Sequence, residues 1–207
     1  MKLRPYQIDT IDTSLQNAQE GNNTLVMLPT GGGKTVIAKF IAKKSAKRIL
    51  FLAPRIELLD QTIEEFEELS PQIIHGTSKY DEAQRIFVST LQTISQRSEL
   101  LDILKIDLII IDEIHYGASG KMQELIRERH KGCFIGLSAT PYDINGVLLS
   151  GFDKVIDNYD IAFMVKNNYL CDVEAIAPLT LDLKSVSITA GDYNLKELDF
   201  KMMSNEL

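Results

Sequence analysis

The sequence contains few cysteines and shows no paired metal-binding spacing. Cys133 and Cys171 are the two cysteines among 207 residues, and they lie far apart in the chain. A zinc site needs closely spaced pairs of Cys or His, so this pattern excludes the common zinc modules. We expect both cysteines to be small core or surface residues rather than a disulfide, as is typical of a reducing, intracellular compartment.

Long apolar runs are also missing. The longest, such as residues 108–111, are far shorter than the roughly 20 residues that a membrane-spanning helix requires. The first residues show no apolar core of a signal peptide. We therefore expect a cytoplasmic protein without a membrane partner.

Basic residues are not in excess. The chain has 22 Lys and Arg against 29 Asp and Glu, which gives a net charge of −7. This composition lacks the global basic signature of many nucleic-acid-binding proteins, so any such contact must come from local patches. The hydrophobic content of 44% is ordinary for a globular protein and, with this length, favours one main domain.

The most informative stretch is residues 25–38, where a short apolar strand leads through a glycine turn into a helix. Three consecutive glycines, Gly31, Gly32 and Gly33, let backbone N–H groups approach phosphate oxygens, and the helix N-terminus adds positive charge. Lys34 is placed to reach the β- and γ-phosphates, and the Thr35 hydroxyl to bind Mg²⁺. A plain strand–turn–helix connection is the alternative, but it gives no reason for three costly glycines.

Strands and helices alternate along most of the chain. This alternation predicts an α/β fold, a doubly wound and mostly parallel sheet with helices on both faces. Lysines of the helix that follows the glycine turn, including Lys39, and the acidic face of the next helix are expected to be solvated. The predicted strands are 24–28, 48–53, 72–75, 85–89, 106–111 and 133–137, and the predicted helices are 5–20, 34–44, 56–69, 91–104 and 121–130. Toward the end of the chain, residues 172–183 show strand-like alternation and residues 193–206 are expected to be helical.

Polar groups follow four of the predicted strands, at residues 31–35, 54–55, 112–115 and 138–140. Ligands of open parallel sheets bind beyond the carboxyl ends of the strands, so these groups should converge on one edge. Two adjacent carboxylates there have a clear chemical use: Asp112 can hold Mg²⁺ through its hydration shell, and Glu113 can orient and deprotonate water. The alternative is that the two acids only begin a solvated loop.

The order of these motifs over about residues 3–141 resembles the first RecA-like domain of superfamily-two helicases and translocases. The resemblance is to the DEAH-type branch that includes restriction-enzyme motor subunits and XPB-like proteins. It implies a RecA-like P-loop domain that binds ATP and Mg²⁺. It also implies the following site residues: Arg4 and Gln7 for adenine, Thr30, Gly31, Gly32, Gly33, Lys34 and Thr35 for the phosphates, Thr35 and Asp112 for the metal, and Lys34, Asp112, Glu113 and His115 for catalysis.

The same resemblance assigns coupling and nucleic-acid contacts. Ser138 and Thr140 match the motif that links nucleotide state to nucleic-acid contact, and Pro54, Arg55, Thr90 and Gln92 match segments that touch the nucleic-acid backbone. Arg55 also has an electrostatic reason to meet phosphate, although it could instead cap a local carboxylate such as Glu57. His115 could equally be a hydrogen-bonded loop residue.

The resemblance implies the ATP-binding motor domain of a DNA helicase or translocase, with residues 1–165 as the domain and 166–207 as a linker or lead-in. The expected partners are DNA and a second RecA-like domain of the same full-length protein. DNA is favoured because residues 112–115 and 3–7 look closest to the restriction-motor branch. The alternatives are an RNA helicase domain, a P-loop ATPase or kinase that does not act on nucleic acid, and a non-catalytic nucleic-acid-binding module.

Overall fold

The computed structural model describes residues 2–76, 79–116, 128–143 and 146–172, together with two short strands at 188–189 and 192–193. Residues Met1–Cys171 form one compact unit, and Asp172–Leu207 form a second. In the second unit, Ile188–Thr189 and Asp192–Tyr193 pair as an antiparallel two-stranded sheet. Tyr193 was predicted to begin a helix, and that prediction is wrong. The helices and strands predicted for 121–127, 173–183 and 194–206 lie outside the described residues.

The first unit is built around a seven-stranded sheet in which every pairing is parallel. The strands are β1 Thr24–Met27, β2 Ile49–Ala53, β3 Gln72–Ile74, β4 Ile86–Thr90, β5 Leu108–Ile111, β6 Cys133–Ser138 and β7 Lys154–Ile156, and the helices are α1 Pro5–Gln19, α2 Lys34–Lys44, α3 Leu59–Phe66, α4 Leu91–Gln96, α5 Glu99–Ile103 and α6 Ile161–Lys166. Short 3₁₀ helices cover Ile56–Leu58, Glu67–Leu69 and Ile114–Tyr116. The strand order is β3-β4-β2-β5-β6-β1-β7, which confirms the predicted doubly wound α/β sheet.

The sheet is buried on both faces because successive strand residues point to opposite sides. In β2, Leu50 joins the cluster that includes residues of α4 and α5, whereas Phe51 joins the cluster that includes residues of α1, α2 and α3. The central strands consist of fully buried residues throughout, as expected for a parallel sheet covered on both sides. Among the described residues, no helix has the length and apolar character needed to cross a membrane.

The environment of the charged residue Lys39, where α2 packs against α3, differs from the prediction. The side chain of Lys39 is only 15% exposed, and its ammonium lies 3.2 Å from Glu65 Oε1 and 3.4 Å from Glu68 Oε1. Burial opposes the charge, yet the two carboxylates raise the pKa of Lys39 above its usual value. The prediction of a solvated Lys39 was wrong, because α2 and α3 pack side by side and bring Lys39 against Glu65. The predicted solvated acidic face is confirmed for Glu64, Glu67 and Glu68, which are exposed, whereas Glu65 is half-buried.

Candidate nucleotide site

The glycine turn has the backbone geometry that its sequence predicts. Gly31 and Gly33 have φ angles of 81° and 78°, in the left-handed region where side chains are disfavoured. A Cβ on Gly32 would lie 2.9 Å from the Pro29 carbonyl oxygen, which already accepts the Gly32 N–H at 2.9 Å. Helix α2 begins immediately afterwards at Lys34, so its first N–H groups lack partners within the helix and point toward the turn. This arrangement can bind an anion.

Lys34 connects the phosphate loop to the acidic pair. Its ammonium lies 3.1 Å from Glu113 Oε1 and donates to the Leu28 carbonyl oxygen at 3.4 Å. Lys34 is 8% exposed and Glu113 is 23% exposed, so the ion pair is shielded from water on most sides. The structure therefore brings these two predicted catalytic residues into direct contact. Thr35 follows in the first turn of α2 and is half-buried, while Thr30 lies exposed at the start of the loop.

The Asp112 carboxyl lies in an environment that disfavours its charge. Burial, and secondly the nearby charge of Glu113, raise the pKa of Asp112 to about 6, against the opposing effect of Lys34. Asp112 Oδ1 accepts the backbone N–H of Glu113 at 3.0 Å. The second carboxylate oxygen of Glu113 is buried and accepts no hydrogen bond, although His115 Nδ1 lies 3.4 Å away. A further positive charge placed beside these two carboxyl groups would therefore be stabilising.

This donor set fits a magnesium ion shared with a nucleotide. Mg²⁺ is usually bound through one or two carboxylates, waters and substrate phosphates rather than by a cage made only of protein groups. The described residues contain no group of three or more His, Cys, Asp or Glu that could hold a metal by themselves. The two predicted metal ligands are the Asp112 carboxylate, which follows β5, and the Thr35 hydroxyl, in the first turn of α2.

A chain of hydrogen bonds runs from His115, which lies beside Glu113, to the end of β6. Ser138 Oγ donates to the Thr140 carbonyl oxygen at 2.6 Å and accepts the Thr140 N–H at 3.2 Å. His115 Nδ1 lies 2.9 Å from Ser138 Oγ. Because the serine proton is already donated, this network assigns the proton at that contact to His115 Nδ1. The predicted coupling residues are thus in contact with the predicted catalytic residues.

Helix α1 reaches the other side of the phosphate loop. The Tyr6 hydroxyl donates to the Gly32 carbonyl oxygen at 2.8 Å, and Gln7 Oε1 accepts the Arg4 backbone N–H at 2.9 Å. The Gln7 amide lies so close to the loop that a Cβ on Gly33 would be 2.6 Å from Gln7 Nε2. The structure therefore places Gln7 beside the last loop glycine, where a glutamine amide could meet the edge of a base.

The Arg4 side chain has a partner that the sequence did not indicate. Its guanidinium donates to the Tyr169 carbonyl oxygen at 3.1 Å and lies 5.0 Å from the centre of the Tyr169 ring. Arg4 and Tyr169 are 165 residues apart, so no local pattern could have revealed this contact.

The predicted nucleic-acid residues line a separate cleft of about 570 Å³. Pro54, Arg55, Thr90 and Gln92 all lie in its wall, so the structure brings the four together. Arg55 and Gln92 are exposed, whereas Thr90 is buried and caps α4 by accepting the Thr93 N–H at 3.2 Å. The same cleft is lined by polar residues that were not among the predicted site residues, namely Glu57, His75, Thr93, Gln96 and Arg97. Arg97 donates to the Gly76 carbonyl oxygen at 2.6 Å.

An all-parallel sheet with a phosphate loop after β1, an acidic pair after β5 and a Ser–Ala–Thr turn after β6 defines a RecA-like helicase domain of superfamily two, which is a nucleotide-binding class. Comparison with known proteins then identifies the family. Residues 1–143 match the model of the type III restriction enzyme res subunit family, and the chain belongs to that family.

Relatives and solved structures agree with this assignment. The chain is 30% identical over 163 residues to the type I restriction enzyme SsaAORF53P endonuclease subunit of Staphylococcus saprophyticus, a match that covers 68% of this chain and 17% of that subunit. The Hef helicase domain of Pyrococcus furiosus is similar with a TM-score of 0.55 and 26% identity, over 74% of this chain and 37% of the other. The SWI2/SNF2 ATPase core of Sulfolobus solfataricus, solved in complex with dsDNA, has the same fold with a TM-score of 0.57 and 20% identity, over 68% of this chain and 32% of the other. The chain thus spans well under half of each of these proteins.

Proposed function

We propose that this chain is the ATP-binding motor domain of a DNA translocase or helicase. The observation that carries the proposal is the contact between Lys34 and Glu113, which joins a phosphate loop to the acid that would activate water. A phosphoryl-transfer site needs these two groups within reach of the same γ-phosphate. A kinase or another P-loop ATPase would leave the chain from His115 to Ser138 and Thr140 without a role.

The ion pair also suggests how the site responds to nucleotide. The γ-phosphate oxygens carry more negative charge than one carboxylate, so they would draw the Lys34 ammonium away from Glu113 Oε1. Glu113 would then be available to accept the proton of an attacking water. Any shift of Glu113 reaches His115, Ser138 and Thr140 through the contacts described above, which gives the nucleotide state a route to the end of β6.

Magnesium would be held by Thr35 and Asp112, together with waters and the phosphates, and would neutralise charge on the transferred phosphoryl group. Within the chain itself, Gln7 would bind the adenine edge and the first N–H groups of α2 would bind phosphate oxygens. We propose a cytoplasmic setting for this activity.

We propose DNA as the nucleic acid along which the domain moves, and we call it the proposed track. The cleft bounded by Pro54, Arg55, Thr90 and Gln92 offers a cation and several hydrogen-bond donors, which suit a sugar-phosphate backbone. The Sulfolobus ATPase core with the same fold was solved with dsDNA, and the related staphylococcal subunit belongs to a type I restriction enzyme. Backbone contacts do not select the sugar, so an RNA helicase domain is the second candidate and is an arm of the test below.

The proposed track is tested by salt-dependent binding to single-stranded DNA and to RNA of the same sequence. The protein used is a longer chain that carries this RecA-like domain and the proposed second one, which we call the two lobes. Removing one phosphate contact in Arg55→Ala should make the negative slope of log K against log salt less steep by about one. Thr90→Ser keeps the hydroxyl that caps α4 and should bind like the wild type. Thr90→Val removes this hydroxyl and should bind more weakly than Thr90→Ser.

Arg129→Ala is the matched control, because Arg129 is exposed and pairs with Asp102 instead of lining the cleft. Equal slopes for wild type and Arg55→Ala would rule out the proposed track. Tighter binding to RNA than to DNA would favour the second candidate.

We further propose that a second RecA-like lobe completes the site with an arginine. An arginine supplied from outside the phosphate loop is worth about 10³–10⁵ in rate in this chemistry, so the 207-residue chain should bind ATP but hydrolyse it slowly. The measurement is DNA-stimulated ATP turnover by this chain and by a version extended through the second lobe. Fast stimulated turnover by the short chain would mean that one of its own arginines completes the site.

A further inference from the structure

The segment from Tyr159 to Leu170 lies against the phosphate loop, although it falls outside residues 1–143 that match the family model. Leu170 Cδ2 is 3.0 Å from the position that a Cβ on Gly31 would occupy, and Met164 Cε is 3.6 Å from the corresponding position on Gly32. These contacts explain part of the need for glycine in the loop. A side chain at Gly31 would press against Leu170, and the positive φ angle would strain it in addition.

Local chemistry fixes the path of this segment. Asp160 caps α6 by accepting the Phe163 N–H at 2.7 Å, and Met164 is fully buried beneath the helix. After α6, Asn168 adopts a left-handed φ of 58°, and the next residue, Tyr169, donates its N–H to the Met164 carbonyl oxygen at 2.8 Å. This turn at the helix end directs Tyr169 back toward α1.

Tyr169 then packs between two residues at the start of α1. Its ring centre lies 5.0 Å from that of Tyr6, whose hydroxyl is bonded to the Gly32 carbonyl oxygen. The Arg4 guanidinium lies over the Tyr169 ring and donates to the Tyr169 carbonyl oxygen. Arg4 is therefore held at two points by Tyr169, while its own backbone N–H is bonded to Gln7 Oε1.

A guanidinium is planar and can stack on a flat ring on either of its faces. The Arg4 Cζ atom lies 5.0 Å from the centre of the Tyr169 ring, and the Arg4 side chain is otherwise exposed to solvent beside Gln7. We propose that Tyr169 is a positioning residue of the nucleotide site, whose ring and carbonyl oxygen hold the Arg4 guanidinium where it stacks on the purine that Gln7 binds. This inference rests on the proposed function, since it requires the phosphate loop to bind a purine nucleotide.

The test compares the affinities of Mg²⁺-ATP and Mg²⁺-tripolyphosphate by calorimetry. Tyr169→Leu keeps apolar packing on Tyr6 but removes the aromatic face, so ATP should bind about two- to fivefold more weakly, the loss expected of one exposed cation–π contact. Tripolyphosphate has no base, and its affinity should not change. Tyr169→Phe keeps both the ring and the carbonyl oxygen and should bind ATP like the wild type.

Arg4 gives an independent arm, because it is exposed and its replacement should not disturb folding. Arg4→Lys keeps the charge but loses the planar group, so it should show the same loss for ATP. The double variant Arg4→Lys with Tyr169→Leu should bind ATP no more weakly than either single variant, since both remove one shared contact. Thermal melting of each variant checks its fold.

The outcomes separate this inference from the proposed function. Wild-type ATP affinity in Tyr169→Leu or Arg4→Lys, equal losses for ATP and tripolyphosphate, or additive losses in the double variant would each overturn the positioning role. Lys34→Ala should weaken both ligands. If it weakens neither, the nucleotide site itself is wrong, whatever the Tyr169 variants show.

Discussion

At the scale of single residues, the backbone of Glu113 separates the roles of the two adjacent acids. Glu113 has a φ of 44°, a left-handed conformation that costs about 1–2 kcal/mol for a residue with a side chain. Its N–H turns onto Asp112 Oδ1, while its carboxylate reaches Lys34. Strained conformations of this kind are retained where the surrounding contacts determine them, and they cluster at active sites.

The proposed role of Glu113 as general base predicts a specific loss of ATP hydrolysis in Glu113→Gln. Glutamine keeps the size and one carbonyl oxygen but cannot accept the proton of water, so hydrolysis should fall by about 10²–10⁴. ATP affinity should be largely retained, because the loop and Lys34 would provide most of the contacts to the phosphates. Single-turnover rates in the two-lobe protein measure the effect, with Glu64→Gln, an exposed acid on α3 that does not line the cleft of Arg55, as the control. An unchanged rate would remove Glu113 from the mechanism.

Gln7 predicts nucleotide selectivity. An amide has one acceptor and one pair of donors, which match the N6 amino group and N7 of adenine but meet the wrong edge in guanine. Gln7→Ala should therefore weaken ATP more than GTP in competition binding. Gln16→Ala is the matched control, since Gln16 lies on the same helix, is exposed and bonds to Glu20. Equal losses for the two nucleotides would count against adenine recognition by Gln7.

At the scale of helices and strands, the sequence predicted long buried elements well and short or interrupted ones poorly. The central strands were found because a strand covered on both faces is apolar throughout. Residues 91–104 were predicted as one helix, but α4 and α5 are separate because Arg97, at φ −130°, leaves the helical conformation and its side chain bonds to Gly76. Strand β7 and helix α6 were missed because three and six residues carry too little periodicity.

A contact between α1 and Tyr159, two residues before α6, predicts that stability depends on pH. The Tyr159 hydroxyl donates to Asp9 Oδ2 at 2.5 Å, just before α6 begins. Burial, and secondly this hydrogen bond to a carboxylate, raise the pKa of Tyr159 to about 12. Because the folded pKa lies above the usual value near 10, the contact stabilises the fold below about pH 10, and that stabilisation is lost as the pH rises toward 12.

The measurement for this contact is an ultraviolet titration of tyrosinate in wild type and in Tyr159→Phe. The difference between the two curves should show one group that ionises near pH 12. Tyr142→Phe removes an exposed tyrosine and serves as the control for the loss of one phenol. A Tyr159 difference curve centred near pH 10 would show that the hydroxyl is not held by Asp9.

At the scale of the whole first unit, the candidate site is assembled from the carboxyl ends of parallel strands. Three of its parts, after β1, β5 and β6, were predicted from sequence because each follows an apolar strand and the rule for parallel sheets brings such ends together. The contacts of Tyr169 and Leu170 were not predicted. They depend on the chain returning to α1 and to the phosphate loop after β7, and neither residue carries a motif of its own.

The central claim is that Lys34 anchors a nucleoside triphosphate beside Glu113, and calorimetric titration of Mg²⁺-ATP tests it most directly. Charge-assisted hydrogen bonds are worth about 1.5–3 kcal/mol, so Lys34→Ala should bind ATP roughly 10- to 150-fold more weakly. Lys44→Ala is the matched control, because Lys44 ends the same helix and pairs with Asp12 on the surface. The account predicts a large loss in the first variant and wild-type affinity in the second. Unchanged ATP affinity in Lys34→Ala would contradict it.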